Sequence, residues 1–583
     1  MHTLGTDADN VVRTGAAAVA GASSGSGSAP GPRVAAIVVT WNRRGDVDRC
    51  LRAIAAQAFP AARLDVVVVD NASTDGTADH VFEAWRPSRV VHNGAEAAER
   101  PQFEIGRAAV ARNAGGWRSL TLVRNATNLG GCGGFNTGFL IVERTIASHR
   151  DLSALPEAPG AARAEPLGYV WLVDDDAVPA PDCLERLVAT AESDPAIGIV
   201  GSRMVDPNDT AITLESTVFF NPSTGLFGPP EPEHPRHAEH EAWLARVGSP
   251  KGRHDAPDAR SAMTGARDVD CVAACSLLAR WSEARRLGYW DARFFITGDD
   301  ADWCLRFGRA GLRVVCDLDA VVHHLPWIAK RTTLQDHYRR RNLFWLWERA
   351  LGRDDLRRLA SARVALILRQ ARQAIARGRA LDAEIMRRSA HDAAANRGGR
   401  LKLSARPGVA PVQIEDALRA IGADRRGATL AAVCPSQRTL RQALRLRRTA
   451  ARVLSSSPPK WVLFIAADAI GDRLLARMEG LPDVRVVRYA RRRRSMLRRQ
   501  FGFLLSPPRA WVVFDGRTDV PLLHCSRVLH VDTRARRARA ERHIPGSRPL
   551  FVVRWLWTWL RCRFYLWRLE PREFRGRFGD AAG

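Results

Sequence analysis

Three stretches of the chain bring together side chains that could do chemistry. Asp174-Asp175-Asp176 closes the apolar run GYVWLVDDD at 168–176. Adjacent like charges repel, and a divalent cation relieves that repulsion. Asp-x-Asp with hard oxygen donors suits Mg2+ or Mn2+ held together with a diphosphate. The segment Phe294 to Arg306 supplies more carboxylates in Gly298-Asp299-Asp300-Ala301-Asp302. One of them is a candidate general base if its geometry lets it reach a hydroxyl. The plain alternative is a helix with an acidic first turn, which the helix dipole favours. His323-His324-Leu325-Pro326-Trp327 follows, and an imidazole there is a candidate to complete a metal shell.

Other polar residues stand at the ends of apolar runs. Thr40-Trp41-Asn42 ends VAAIVVT, and Asp70-Asn71-Ala72-Ser73-Thr74-Asp75-Gly76-Thr77 ends LDVVVVD. Asp, Asn and Gly are also ordinary turn residues. The run Asn128-Leu129-Gly130-Gly131-Cys132-Gly133-Gly134-Phe135-Asn136 lets backbone approach a ligand closely. It lacks the GxGxxG spacing of a dinucleotide loop, and no GxxxxGK[ST] occurs.

These residues need a scaffold that gathers strand ends. Buried strands are expected at Val34–Thr40, 64–70, Leu120–Arg124 and 168–176, with helices at about Gly45–Ala58 and from Phe135. This β-α-β rhythm predicts an α/β fold with a parallel sheet, and ligands bind at the carboxyl ends of such strands. A long loop is expected at 221–265, with His234, His237 and His240 as a weaker candidate metal site. Residues 334–395 read as helical. Four further strands, at 428–435, 460–467, 484–490 and 510–516, predict a second, smaller α/β unit. Asp515-Gly516-Arg517-Thr518-Asp519 at the end of the last reads as a turn. The expected divisions are a tail at 1–32, a first domain at 33–333, an Arg-rich helical segment at 334–399, the second unit at 400–550 and an aromatic, basic segment at 551–583.

The 583 residues require more than one core. An apolar content of 46% excludes disorder throughout. No uncharged apolar stretch reaches the length of a spanning helix. Ten scattered cysteines and an N-terminus without a basic-then-apolar signal predict a reduced, cytoplasmic setting. The net charge of +26 divides unevenly. Residues 1–329 carry 32 basic and 41 acidic side chains, net −9; residues 330–583 carry 56 and 21, net +35.

Taken in order, VVTWNR, VVVVDNASTDGT, NLGGCGGFNTG, WLVDDDA, FFITGDDADWCLR and AVVHHLPW resemble a family 2 glycosyltransferase with the GT-A fold, over roughly residues 34–345. The closest likeness within the family is to bacterial galactofuranosyltransferases, with rhamnosyltransferases of cell-envelope synthesis as near alternatives. The resemblance implies an inverting, Mg2+- or Mn2+-dependent transfer from a nucleotide-diphosphate sugar donor to a glycan or polyprenyl-linked acceptor. It implies that Thr40, Asn42, Asp70 and Asn71 lie around the nucleotide. Asn128, Gly134 and Asn136 fall to the donor loop, and Asp175 to the ribose or sugar. Asp174, Asp176 and His324 match metal ligands, with His323 one residue away. Asp299-Asp300 matches the acidic pair, with Asp300 as base. Arg339–Asn342 in HYRRRN resembles the family's tyrosine-and-RN segment. The insertion at 92–118 is expected to shape the acceptor cleft. Two other readings stand beside this one: a GT-A-like scaffold without turnover, and a bifunctional enzyme whose second activity lies after 400.

The basic rear part has its own expectation. Arg491–Arg494, the run at 534–539 and FVVRWLWTWLRCRFYLWRL at 551–569 dominate it. Four arginines make the last segment costly as a spanning helix, at about 2.5–3.5 kcal/mol each near the bilayer centre. Trp, Tyr and Arg suit a membrane interface. A peripheral position on an anionic membrane, at the inner face of the plasma membrane, is therefore expected. The alternative is a terminal helix packed on the second α/β unit. No recognition-helix, RRM or zinc pattern supports nucleic acid as a partner.

Overall fold

A computed structural model describes residues 31–96, 100–107, 113–147, 166–254, 256–324, 335–376, 380–401, 412–434, 436–466, 472–489, 508–514, 527–532, 537–542 and 547–578. The expected tail (all but its last two residues), nearly all of the Ala/Pro stretch 151–166, Leu325-Pro326-Trp327, Arg491–Arg494, Asp515–Asp519 and the first half of the 534–539 run lie outside these residues.

The fold is mixed α/β, as expected. Among the described residues, its first body is a sheet of thirteen strands. Five of them, in the order Leu167–Asp174, Arg33–Thr40, Leu64–Asp70, Ser119–Asn125 and Arg89–Asn93, run parallel. Val34, Ala36, Val38, Val66 and Val68 face one layer, and Ala35, Ile37, Val67 and Val69 the other. Burial on both faces is why these strands read as continuous Val/Ala/Ile runs. Beyond Leu167–Asp174 the sheet turns mixed. Ser276–Arg280 pairs antiparallel with it and with Ile197–Asp206. Arg313–His323 then lies parallel to Ile197–Asp206. The parallel expectation holds for the first half only.

One segment gains a strand, and one local expectation is corrected. Within the 92–118 insertion, Phe103–Arg107 pairs antiparallel with Arg89–Asn93 and forms the sheet edge, so part of that insertion extends the sheet. The expected long loop at 221–265 instead folds into a hairpin of Phe219–Asn221 and Leu226–Gly228, a helix His237–Val247, a short strand Gly252–Arg253 and a helix Pro257–Ala262.

Three helices follow, Gln335–Ala350, Arg353–Ala376 and Ala380–Ala394. Among the described residues, the rear unit is a sheet of seven strands. Numbered from Thr429–Cys434, its six longest strands lie in the spatial order 3-2-1-4-5-6, with the sixth antiparallel. That is a doubly wound order. Its last two strands, Arg527–Asp532 and Arg537–Arg542, escaped the sequence reading. The second overlaps a basic run because arginines stand at 537, 539 and 542, while Ala538 and Ala540 lie towards the core.

The helix Ser547–Arg568 packs on Arg353–Ala376 and Ala380–Ala394. Phe551, Cys562 and Leu569 are buried there. The Trp555 indole donates to the Leu368 carbonyl at 3.0 Å. This helix therefore joins the helical segment behind the first sheet. Residues after it return to the first body, where the Tyr289 and Ala292 amides donate to the Arg577 and Phe578 carbonyls at 2.8 and 3.1 Å.

Candidate active site

Asp174 is the last residue of its strand, and Asp175 and Asp176 form the turn that follows. His324 lies just past the strand Arg313–His323. The sheet brings these distant segments together. His324 Nε2 is 3.0 Å from Asp176 Oδ1 and 3.5 Å from Asp174 Oδ2. One ligand atom from each of Asp174, Asp176 and His324 falls within 4.8 Å of the others. Two carboxylates and one imidazole make a hard oxygen-rich set of the kind that Mn2+ or Mg2+ accepts. Neighbouring His323 directs Nδ1 at the Val178 carbonyl, 3.0 Å away, and is not part of the cluster.

Asp175 points elsewhere. It is buried, and burial pushes its pKa up to about 7 although Arg43 pulls the other way. Arg43 Nε stands 3.8 Å from Asp175 Oδ1, and Arg43 Nη1 donates to Asp176 Oδ2 at 2.8 Å. The sequence reading gave Arg43 no role. Its only signal was its place directly after Asn42 at a strand end.

The two neighbouring strand ends are tied to each other. The Asn42 amide donates to Ser73 Oγ at 2.8 Å, and Asn42 Oδ1 accepts from the Thr74 amide at 2.7 Å. Asn42 adopts a φ of 53°, a left-handed conformation that Asn tolerates. Thr40 is buried at its strand end. Asp70 accepts from the Ser73 amide through Oδ2 at 3.0 Å. Among the described residues its buried Oδ1 has no hydrogen-bond partner. Burial also raises its pKa. An unsatisfied buried carboxylate oxygen is costly and calls for an explanation. A donor on a bound ligand is one.

The amides expected around the donor are engaged with the protein itself. Asn71 Nδ2 donates to the Gly130 carbonyl at 2.7 Å, while Asn71 Oδ1 accepts from Asn125 Nδ2 at 2.8 Å. Asn128 Oδ1 accepts from the Gly130 amide at 2.8 Å. Asn136 is wholly buried and exchanges two bonds with the Trp290 backbone, at 2.9 and 3.0 Å. The glycines likewise serve close packing. A Cβ on Gly134 would lie 2.4 Å from Val39 Cγ1, and one on Gly138 2.3 Å from Ile37 Cγ2. The helix Gly130–Val142 thus lies directly on the Arg33–Thr40 strand. Gly130 has a φ of 77° and abuts the Phe295 carbonyl. The glycine loop and the 294–298 loop are therefore neighbours.

That second loop carries the acidic pair. Asp299 and Asp300 open the helix Asp299–Arg309, so the dipole explanation applies to them as well. Asp300 accepts from the Ala301 amide through Oδ1 at 2.8 Å and the Ala274 amide through Oδ2 at 3.4 Å. Burial raises the pKa of both carboxyls, Asp299 well above the usual range, and the Asp174 charge adds to each. The pair therefore feels the metal-type cluster through space. Thr297 and Gly298 both have positive φ, 77° and 84°. Asn342 holds this strained turn, donating from Nδ2 to the Ile296 and Thr297 carbonyls at 3.0 and 2.8 Å. Arg341 beside it donates to the carbonyls of Arg293 and Gly399, at 3.1 and 2.9 Å. Deeper in the helix, Asp302 is buried between Arg306, at 3.1 Å, and Arg349, at 2.6 Å.

The three histidines of 234–240 do not converge. His234 pairs with Asp270 at 2.9 Å, His237 faces the Pro230 carbonyl, and His240 is buried between Phe219 and Trp243. Burial lowers the His240 pKa, as suits a neutral core imidazole.

The family described as "Glycosyl transferase family 2" matches this region, over residues 35–96 and 153–241. These spans contain the strand ends of Thr40, Asp70 and Asp174, in the mixed α/β sheet described above. Among particular proteins, the glycosyltransferase AglE of Haloferax volcanii is 39% identical over 46 residues, 8% of this chain and 15% of that protein. Two solved structures are similar at lower identity. S. aureus TarS gives a TM-score of 0.29 at 13% identity, covering 54% of this chain and 39% of the other. The mannosyltransferase PcManGT of Pyrobaculum calidifontis, in complex with GDP-Man and Mn2+, gives 0.31 at 18%, covering 62% and 87%. No residue role is carried over from either.

Proposed function

We propose that residues 33–333 form an inverting, metal-dependent glycosyltransferase that uses a nucleotide-diphosphate sugar. The observation that carries this reading is the convergence of Asp174, Asp176 and His324 at the carboxyl end of the sheet, with Asp300 on the Ala274 amide next to Cys275, whose carbonyl accepts from the Asp174 amide at 3.4 Å. The match to family 2 glycosyltransferases over 35–96 and 153–241 supports it.

In this reading the nucleotide lies across the ends of the Arg33–Thr40 and Leu64–Asp70 strands. The unsatisfied Asp70 Oδ1 accepts from the base, and the Thr40–Asn42 turn lines the same edge. Asp175 faces the ribose or sugar. The Asn71, Asn128 and Asn136 amides hold the loop that forms the donor wall, and Gly134 keeps that wall close. A divalent ion held by Asp174, Asp176 and His324 would offset charge growing on the departing diphosphate. Asp300 takes the proton from the acceptor hydroxyl as its oxygen bonds to the anomeric carbon. The bond from that carbon to the diphosphate oxygen breaks, and the configuration inverts. The order of motifs favours galactofuranosyl- or rhamnosyl-type transfer to a glycan or polyprenyl-linked acceptor in cell-envelope synthesis.

Purified full-length protein, Mn2+ and a lipid-linked acceptor, screened against a panel of nucleotide sugars, test this reading. Transfer from one donor that is abolished in Asp300→Asn is the expected result. Absence of transfer and of hydrolysis with every donor, together with absence of nucleotide binding, would overturn it.

A further inference from the structure

The helix Ser547–Arg568 has two apolar faces, and among the described residues only one is covered. Phe551, Trp555, Thr558, Cys562 and Leu569 form the inner face, and Thr558 and Cys562 are wholly buried. On the other side Val552, Val553, Leu556, Trp557, Trp559, Leu560, Phe564 and Trp567 are all exposed, Trp557 by 57% and Trp567 by 73%. At 3.6 residues per turn these eight fall on one arc of about 160°. A helix that is apolar all round is ordinarily enclosed. This one leaves a continuous aromatic and aliphatic strip from Val552 to Trp567, about 22 Å long, facing outward.

The charges around the strip say what covers it. Arg554, Arg561 and Arg568 recur at seven-residue spacing and line one border, and Arg563 stands within the arc. The sequence from Ser547 to Arg568 contains no Asp or Glu. Three guanidinium groups lie against exposed rings: Arg561 6.0 Å from the centroid of Trp557, Arg563 5.8 Å from that of Trp559, and Arg568 5.3 Å from that of Phe564. Arginines beside aromatic rings at the edge of an aliphatic strip match a layered target, with anionic phosphates above hydrocarbon. A second copy of this chain would set the same uncompensated arginines against each other. A nucleic acid would use the charge and the rings but would offer nothing to Val552, Val553, Leu556 and Leu560. No helix among the described residues is long and apolar enough to cross a membrane, so the strip lies along a surface.

We infer that the outward face of Ser547–Arg568 is a docking surface for an anionic phospholipid bilayer, with the Trp and Leu side chains at headgroup depth and the arginine border on lipid phosphates. The inference rests on this helix and is independent of the glycosyl-transfer reading.

Co-sedimentation of the full chain with vesicles tests it, using phosphatidylcholine alone and an equal mixture with phosphatidylglycerol. Binding to the mixed vesicles that weakens with added salt, and little binding to phosphatidylcholine, is expected. Trp557→Ser combined with Leu560→Ser and Trp567→Ser should lower binding about tenfold or more. Arg554→Gln combined with Arg561→Gln and Arg568→Gln should remove the preference for the anionic lipid. These positions face away from the body, so unchanged circular dichroism and melting temperature serve as the folding control. Equal binding of the Trp/Leu variant and the parent would overturn the inference. So would a vesicle-free dimer of the parent that the same substitutions dissociate, or tighter binding to an oligonucleotide than to the mixed vesicles. None of these readouts requires turnover, so failure of the docking surface and failure of the catalytic proposal remain distinguishable.

Discussion

Arg43 Nη1 sits 2.8 Å from Asp176 Oδ2, while the other oxygen of the same carboxylate faces His324 Nε2 at 3.0 Å. Asp176 is thus shared between a fixed guanidinium from the first strand end and an imidazole that belongs to the cation-type cluster. The guanidinium competes with any metal for the carboxylate. Arg43→Gln should therefore raise Mn2+ affinity several-fold in the absence of nucleotide. An Mn2+ titration followed by electron paramagnetic resonance reads this directly. Weaker Mn2+ binding would instead make Arg43 a support for the cluster geometry.

Removing a cluster member has the opposite sign. Asp176→Ala and His324→Ala should each weaken Mn2+ binding by about tenfold or more, and nucleotide affinity in Mn2+ should fall with it. Calorimetric titration in Mn2+ and in EDTA separates the two effects. His323→Ala is the control, because its Nδ1 faces the Val178 carbonyl; an equal loss there would relocate the ligand.

Asp300→Asn should keep donor binding and lose about 10²–10⁴ in kcat, the usual contribution of a general base. The pH dependence follows from burial, which raises the Asp300 pKa. A base must be ionised, so kcat should climb as pH rises through that elevated pKa and level off above it. The climbing limb should vanish in Asp300→Asn. For folding the sign is reversed. A carboxyl with a raised folded pKa adds stability that is complete below its unfolded pKa and lost as pH rises through the folded one. Asp299 and Asp300 both contribute in this sense.

Gly134→Ala sets two effects against each other. Alanine is the better helix former by about 1 kcal/mol, but its Cβ would lie 2.4 Å from Val39 Cγ1. Overpacking of this kind costs about 1–3 kcal/mol. Val39 packs against the core and buried Asn71 would lie 2.9 Å away, so the overlap should win and thermal denaturation should show a lower melting temperature.

Asn342→Ala removes two bonds to the strained turn at Ile296 and Thr297. Leaving those carbonyls unmet costs about 1–3 kcal/mol. Because the turn leads straight into Asp299, kcat should fall more than donor affinity. A loss confined to stability, with kcat intact, would make Asn342 purely structural.

The sequence was most legible where residue type alone carries the information. Continuous Val and Ala runs mark strands buried on both faces, and the carboxylates that follow them stand at the strand ends. The ordering of Asp174, Asp176 and His324 could be read before their convergence could be measured. Partner choice was less legible. An Asn at a strand end has the same letter whether its amide meets a nucleotide or, like Asn71 and Asn136, the Gly130 carbonyl and the Trp290 backbone. Arg43 had no pattern of its own, because its partners at the site, Asp175 and Asp176, lie more than 130 residues away. The Ser547–Arg568 helix is packed on the body, as the alternative expectation had it. One face is buried and the other is bare, although its buried side lies on the helical segment instead of the second sheet. Periodicity registers that a helix is apolar; it does not register how many of its faces are covered.

The stretch after that helix affects how the protein can be engineered. The Phe574 ring lies 3.7 Å from the Arg306 guanidinium and 4.9 Å from that of Arg349, the two cations that clamp Asp302 on the acidic helix. Its neighbours bond to the Tyr289 and Ala292 amides. A truncation designed to release the protein from lipid would also unpack the floor beneath the acidic pair. Loss of activity on such a cut would say nothing about membranes. A bulky fusion placed immediately after Phe578 would press on the same floor, so purification handles belong at the other end of the chain.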